Sequence, residues 1–128
     1  MRFIPTLTHG SLDYLIGMFL IVVPWAVRLN EPETWFMDVF GLAVIGYSLF
    51  TDYELALVRW IPVPVHLGLD IAAGVVMAAV PWLFSFAGDQ SAFHVAIGLL
   101  LIVVALMTEL VPSETGEVRG AGYSPWRS

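Results

Sequence analysis

The chain contains no cysteine and no lysine. Without cysteine there is no disulfide, no thiolate metal site, no c-type haem attachment and no iron–sulfur cluster. Any cofactor would have to be held by histidine, carboxylate or packing. Without lysine, positive charge rests on five arginines against eleven carboxylates, a net charge of −6. That balance leaves no basic face for nucleic acid. No HExxH, P-loop, GxSxG or dinucleotide signature occurs either, so nothing supports a hydrolase, an NTPase or a dehydrogenase, and the chain is not expected to be an enzyme.

Apolar residues make up 59% of the 128, with a mean hydropathy of +0.84, well beyond a soluble domain of this size. This composition belongs in a lipid bilayer. Four apolar runs, near residues 11–29, 36–53, 65–87 and 92–111, each approach the roughly 17–25 residues that span the hydrocarbon layer. Breaks fall at Pro24 and Pro32, Pro62 and Pro64, Gly88-Asp89-Gln90 and Pro112-Ser113. The first run follows His9 and Asp13 and lacks a small-residue cleavage site after Trp25, so it is expected to be a mature helix and not a cleaved signal.

The chain also repeats itself. A gapless shift of 57 residues places Arg2-Phe3-Ile4-Pro5 on Arg59-Trp60-Ile61-Pro62 and carries His9, Asp13, Gly17 and Pro24-Trp25 onto His66, Asp70, Gly74 and Pro81-Trp82. Phe36, Gly41-Leu42 and Thr51-Asp52 return as Phe93, Gly98-Leu99 and Thr108-Glu109. The register of Pro-Trp, His and Asp is more than apolar composition would produce. The expected fold is therefore all-α: a four-helix transmembrane domain over residues 1–115, built as two tandem hairpins (repeat one 2–58, repeat two 59–115), with a polar tail at 116–128. Since each repeat holds two spans, both copies enter the membrane from one side, and a pseudo-twofold axis would run along the membrane normal.

Arginine sets the direction. With the N-terminus inside, Arg2, Arg59, Arg119 and Arg127 are cytoplasmic and only Arg28 is outside, so both termini and the tail are expected in the cytoplasm of a bacterial inner membrane. Trp25 and Trp82, each after a proline (Pro24, Pro81), suit anchors at the outer interface, as Trp35 does; Trp60 suits the inner one.

At 100° per residue, His9, Asp13, Gly17 and Pro24 fall within roughly 80° of one another, and their shifted copies do the same. Gly17, Gly41, Gly74 and Gly98 are expected at helix crossings, where small residues let backbones approach. His9, Asp13, Asp52, His66, Asp70 and Glu109 gather with Thr51 and Thr108 at the cytoplasmic end. Asp52 and Glu109 are expected at helix C-termini, where the helix dipole disfavours an anion, and a protonated histidine near an N-terminus is disfavoured conversely. Each histidine is thus expected to meet a carboxylate of a neighbouring helix end, with Asp13 and Asp70 bonded to nearby amides or hydroxyls.

This polar cluster admits two uses, a structural clasp or an ion pathway. A pathway would need a polar column to the outer face; Asp38 offers one step, but its counterpart is Val95. A haem or chlorophyll-type pigment on His9 or His66 is a third use. His94 has no repeat partner and is expected at the outer interface. The tail is expected to be disordered unless a partner holds Tyr123 and Trp126.

The chain resembles the SPW-repeat family of small bacterial membrane proteins, in which a two-helix unit carries Ser-Pro-Trp in its first helix. Val23-Pro24-Trp25 and Val80-Pro81-Trp82 occupy the motif positions, with valine in place of serine; Ser124-Pro125-Trp126 lies in the tail, outside any span. The resemblance covers both repeats and implies their topology, but carries no activity. The expected role is non-catalytic: an accessory or structural subunit packed in the bilayer against a larger membrane protein. The alternatives are a homo-oligomeric proton or ion channel or transporter, and then a pigment or haem carrier.

Overall fold

The computed structural model describes residues 1–85 and 90–111. Its elements are four helices: α1 (Thr6–Val27), α2 (Glu31–Leu49), α3 (Val63–Leu83) and α4 (Gln90–Met107). The Gly88-Asp89 break, Pro112-Ser113 and the tail lie outside the described residues. Prolines open the helices, where a missing N–H costs nothing: Pro5 and Pro62 precede α1 and α3, and Pro32 and Pro64 lie in the first turns of α2 and α3. Pro24 and Pro81 do not break their helices. Each lies inside its helix, near the C-terminal end, and α1 stops only where Arg28 turns left-handed (φ 57°) and returns its N–H to the Pro24 carbonyl.

The helices pair as α1 with α2 and α3 with α4. Both crossings are made at glycine. A Cβ on Gly41 would stand 2.6 Å from the Gly17 carbonyl oxygen, and one on Gly74 would stand 2.6 Å from the Gly98 carbonyl oxygen. Neither distance admits a side chain, so backbone meets backbone at equivalent positions of the two repeats.

No strand forms among the described residues, but each repeat's leading segment lies along a helix end of the other. Trp60 and Ile61 donate to the Phe50 carbonyl, and Asp52 donates to the Ile61 carbonyl, at 2.7–3.0 Å. Phe3 and Ile4 donate likewise to the Met107 carbonyl, and Glu109 to the Ile4 carbonyl, at 2.9–3.0 Å. Every donor and acceptor in the second set is the first displaced by 57. Arg2 adds a bond of 2.7 Å from Nη1 to the Thr108 carbonyl, satisfying the end of α4.

One apolar cluster, Ile16, Leu20, Met37, Met77 and Leu101, draws on all four helices. Outside it the helices are apolar as well. Leu15, Met18, Leu42, Val75, Leu99 and Val103 are 46–67% exposed, a surface unsuited to water. α1 and α3 are long and apolar enough to cross a membrane, and Ser91–Met107 is a shorter apolar helix.

Candidate functional site

The polar stripes of α1 and α3 meet. His9 and Asp13 lie in the first two turns of α1, His66 and Asp70 in those of α3, and all four are no more than 3% exposed. The bonds cross between repeats: His9 Nε2 stands 2.9 Å from Asp70 Oδ2, and His66 Nε2 stands 2.9 Å from Asp13 Oδ2. Within each helix the i, i+4 distances are 3.2 Å for His9–Asp13 and 3.3 Å for His66–Asp70. The two Nε2 atoms are themselves 3.2 Å apart.

The outer ring nitrogens are held with equal regularity. Thr51 Oγ1 donates to the Tyr47 carbonyl at 2.7 Å and lies 2.7 Å from His66 Nδ1. Thr108 Oγ1 donates to the Val104 carbonyl at 2.7 Å and lies 2.8 Å from His9 Nδ1. A hydroxyl has one hydrogen, and here the helix carbonyl takes it. The threonine oxygens therefore accept, and both Nδ1 atoms carry hydrogen. That assignment aims both Nε2 atoms at the two carboxylates.

The carboxylates are braced from α2. Tyr47 Oη donates to Asp70 Oδ1 at 2.5 Å, and Ser48 Oγ donates to Asp13 Oδ2 at 3.4 Å. Repeat two offers no equivalents, since Val104 and Ala105 stand where Tyr47 and Ser48 would recur. The rings of Tyr47 and Tyr53 lie edge-on to His66, and Tyr53 is also held against Gly10, where a Cβ would come within 2.5 Å of its ring. Tyr53, Val63, Leu67 and Ala105 form an apolar cluster on one flank, while Ile16, Leu20 and Met77 follow one to two turns deeper along α1 and α3.

Two of the expected members of the cluster are elsewhere. Asp52 and Glu109 are exposed and meet neither histidine; the Asp52 carboxylate has a loose contact with Arg59, at 3.8 Å. The reason is helix length. α2 stops at Leu49 and α4 at Met107, so Thr51 and Thr108 turn inward while the acidic residue after each turns out along the partner repeat's leading segment. Asp13 and Asp70, expected to bond to hydroxyls or amides, are the histidines' carboxylate partners and bond to hydroxyls too. His94 is corrected as well: it is fully buried in α4, because its counterpart under the 57-residue shift, Met37, is a core residue.

At the opposite ends of α1 and α3, Pro24 and Pro81 are buried while Trp25 and Trp82 point outward, 63% and 71% exposed. The Trp25 indole donates to Asp38 Oδ2 at 3.0 Å.

His9, Asp13, His66 and Asp70 each present one ligand-type atom, and these atoms lie within 4.8 Å of one another, the set among the described residues with the spacing of a metal centre. Signals for it were the exact recurrence of H-x-x-x-D and the threonine 42 residues further on in each copy. What the spacing alone did not give was the exchange of partners between repeats.

No curated protein and no solved structure matches the chain. The model of the SPW repeat domain matches residues 7–108, which include both helix pairs and all of the buried tetrad. The chain belongs to the SPW repeat domain family.

Proposed function

We propose that the chain is a four-span protein of a bacterial inner membrane, with both termini cytoplasmic, that serves as a non-catalytic accessory or structural subunit of a larger membrane assembly. α2 and α4, at 19 and 18 residues, are about 27–29 Å long at 1.5 Å per residue, close to the roughly 30 Å hydrocarbon layer. The outward-facing apolar side chains on all four helices suit lipid or a partner's helices. The recurrence of the same contacts under one 57-residue displacement supports a pseudo-twofold axis along the membrane normal.

The observation that carries this reading is the closure of the ionisable tetrad. Its atoms bond to one another, to two threonines, to Tyr47 and to Ser48, and the continuation toward the other end of the bundle is apolar: Ile16, Leu20, Met37, Met77 and Leu101, each at most 8% exposed. Such a plug favours a clasp over a conduction path, since a proton or ion would have to leave polar groups for hydrocarbon. The 3.2 Å between the Nε2 atoms also leaves no room for a porphyrin plane between the rings, which counts against haem held by both.

Purification of the tagged protein from its native membrane in mild detergent, with mass-spectrometric identification of stoichiometric companions, tests the proposal. A reproducible large membrane-protein partner is expected. Recovery as a homo-oligomer alone, with ion flux in vesicles that disappears in Asp13→Asn or Asp70→Asn, would overturn it in favour of the channel.

A further inference from the structure

Both Nδ1 atoms carry hydrogen, so neutral rings would aim two Nε2 lone pairs at each other and at two carboxylate oxygens, with all four atoms rich in electrons. Something positive must sit among them. Two arrangements supply it: protons shared between each Nε2 and its carboxylate, or a single cation bonded to all four atoms.

Geometry separates these. Two imidazolium and two carboxylate groups alternating around a ring lower their energy by moving like charges apart; with sides near 3 Å, a flat ring would put the two nitrogens about 4 Å from each other. Here the Nε2 atoms are 3.2 Å apart, no farther than the 2.9–3.3 Å from each nitrogen to the carboxylate oxygens. Those five distances are nearly equal, and one ligand-type atom from each of the four residues lies within 4.8 Å of the others. For metal–nitrogen and metal–oxygen bonds of about 2.0–2.1 Å, a tetrahedral centre has edges of about 3.3 Å. The four nitrogen–oxygen distances and the nitrogen–nitrogen distance fall within a few tenths of an ångström of that.

The surroundings fit as well. A ligating imidazole ordinarily donates its second N–H to an oxygen that fixes its tautomer, as His9 and His66 do to Thr108 and Thr51. Ligating carboxylates are themselves hydrogen-bonded, as Asp70 is by Tyr47 and Asp13 by Ser48. Two carboxylates and two neutral imidazoles leave a charge of −2, which a divalent cation cancels; a buried centre in an apolar bundle tolerates no uncompensated charge. Four protein ligands fill a tetrahedron and leave no open position, the pattern of a structural site.

We propose that His9 Nε2, His66 Nε2 and the carboxylates of Asp13 and Asp70 form a tetrahedral site for a divalent transition metal of the zinc type, which staples the two repeats together. The site goes beyond the subunit role and does not depend on it: a chain with no partner would still bind the metal, and a chain with a partner could fail to.

Metal content of the full chain purified in mild detergent and dialysed against a weak chelator tests this. About one zinc per chain is expected, falling below about a tenth in His9→Gln/His66→Gln and unchanged in Asp52→Asn/Glu109→Gln, whose carboxylates are exposed. Should the histidine variant misfold, cobalt added to the metal-stripped wild-type chain decides the matter, because four-coordinate cobalt has an intense visible spectrum and six-coordinate cobalt a weak one. An intense spectrum is expected. Absence of both zinc and cobalt uptake, a six-coordinate spectrum, or uptake that persists in a folded histidine variant would overturn the proposal.

Discussion

Gly98→Ala adds one methyl group where two helix backbones touch, and the structure gives the consequence. The new carbon would lie 2.7 Å from the backbone nitrogen of Ala78 and 2.8 Å from its Cβ, besides striking the Gly74 carbonyl oxygen. Ordinary contacts begin near 3.5 Å, so α3 and α4 would have to separate by about 0.5–1 Å along a shared face. Backbone cannot rotate away as a side chain end can. Overpacking of this kind costs about 1–3 kcal/mol. Gly46 and Gly68 supply the control, since a Cβ on either meets nothing within 4 Å. Gly46→Ala and Gly68→Ala are expected to be at least as stable as wild type, by up to about 1 kcal/mol, because alanine is the better helix former. Unfolding in mixed micelles by increasing SDS fraction, followed by tryptophan fluorescence, measures all three. A Gly98→Ala protein as stable as Gly68→Ala would refute the close crossing.

Thr51→Val and Thr108→Val each leave a buried Nδ1–H without an acceptor and are expected to cost about 1–3 kcal/mol in the same unfolding assay. Asp52→Asn and Glu109→Gln, one residue further on but exposed, are expected to change stability by less than about 0.5 kcal/mol. Arg2→Gln removes a charged bond to the end of α4 and is expected to destabilise by about 1 kcal/mol or more, while Arg59→Gln, whose contact with Asp52 is exposed and 3.8 Å long, is expected to change almost nothing. Equal effects of the two arginine substitutions in thermal unfolding would show that the repeats differ less at these positions than the geometry indicates.

Much of this was legible from the repeat. A displacement that restores His, Asp, Gly and Pro-Trp together implies two copies of one helix pair, and the glycines mark the crossings because nothing else allows backbones so close. Helical periodicity puts each histidine on one face with its aspartate, and the order of the spans puts both stripes at one end of the bundle. Their partners could not be placed that way. Whether Asp52 or Asp70 faces His9 depends on where α2 and α4 stop, and an apolar run that continues past Leu49 and Met107 does not reveal that the helix has already ended. The exchange of carboxylates between repeats is a tertiary fact, since within one helix His9 and Asp13 satisfy the same spacing rule that His9 and Asp70 satisfy across two. His94 follows the same logic: its polarity suits an interface, but the repeat puts it in the place of buried Met37.

The two repeats close on one buried centre through histidine rings whose Nδ1 atoms carry hydrogen and whose Nε2 atoms converge. The chain has only three histidines, so nitrogen-15 NMR of the histidine-labelled protein in lipid bilayers measures this directly. Nδ1–H is expected on both His9 and His66, with nitrogen–nitrogen recoupling between their Nε2 atoms at close to 3.2 Å. A hydrogen-free Nδ1 on either ring, or no measurable coupling between the two Nε2 atoms, would contradict it.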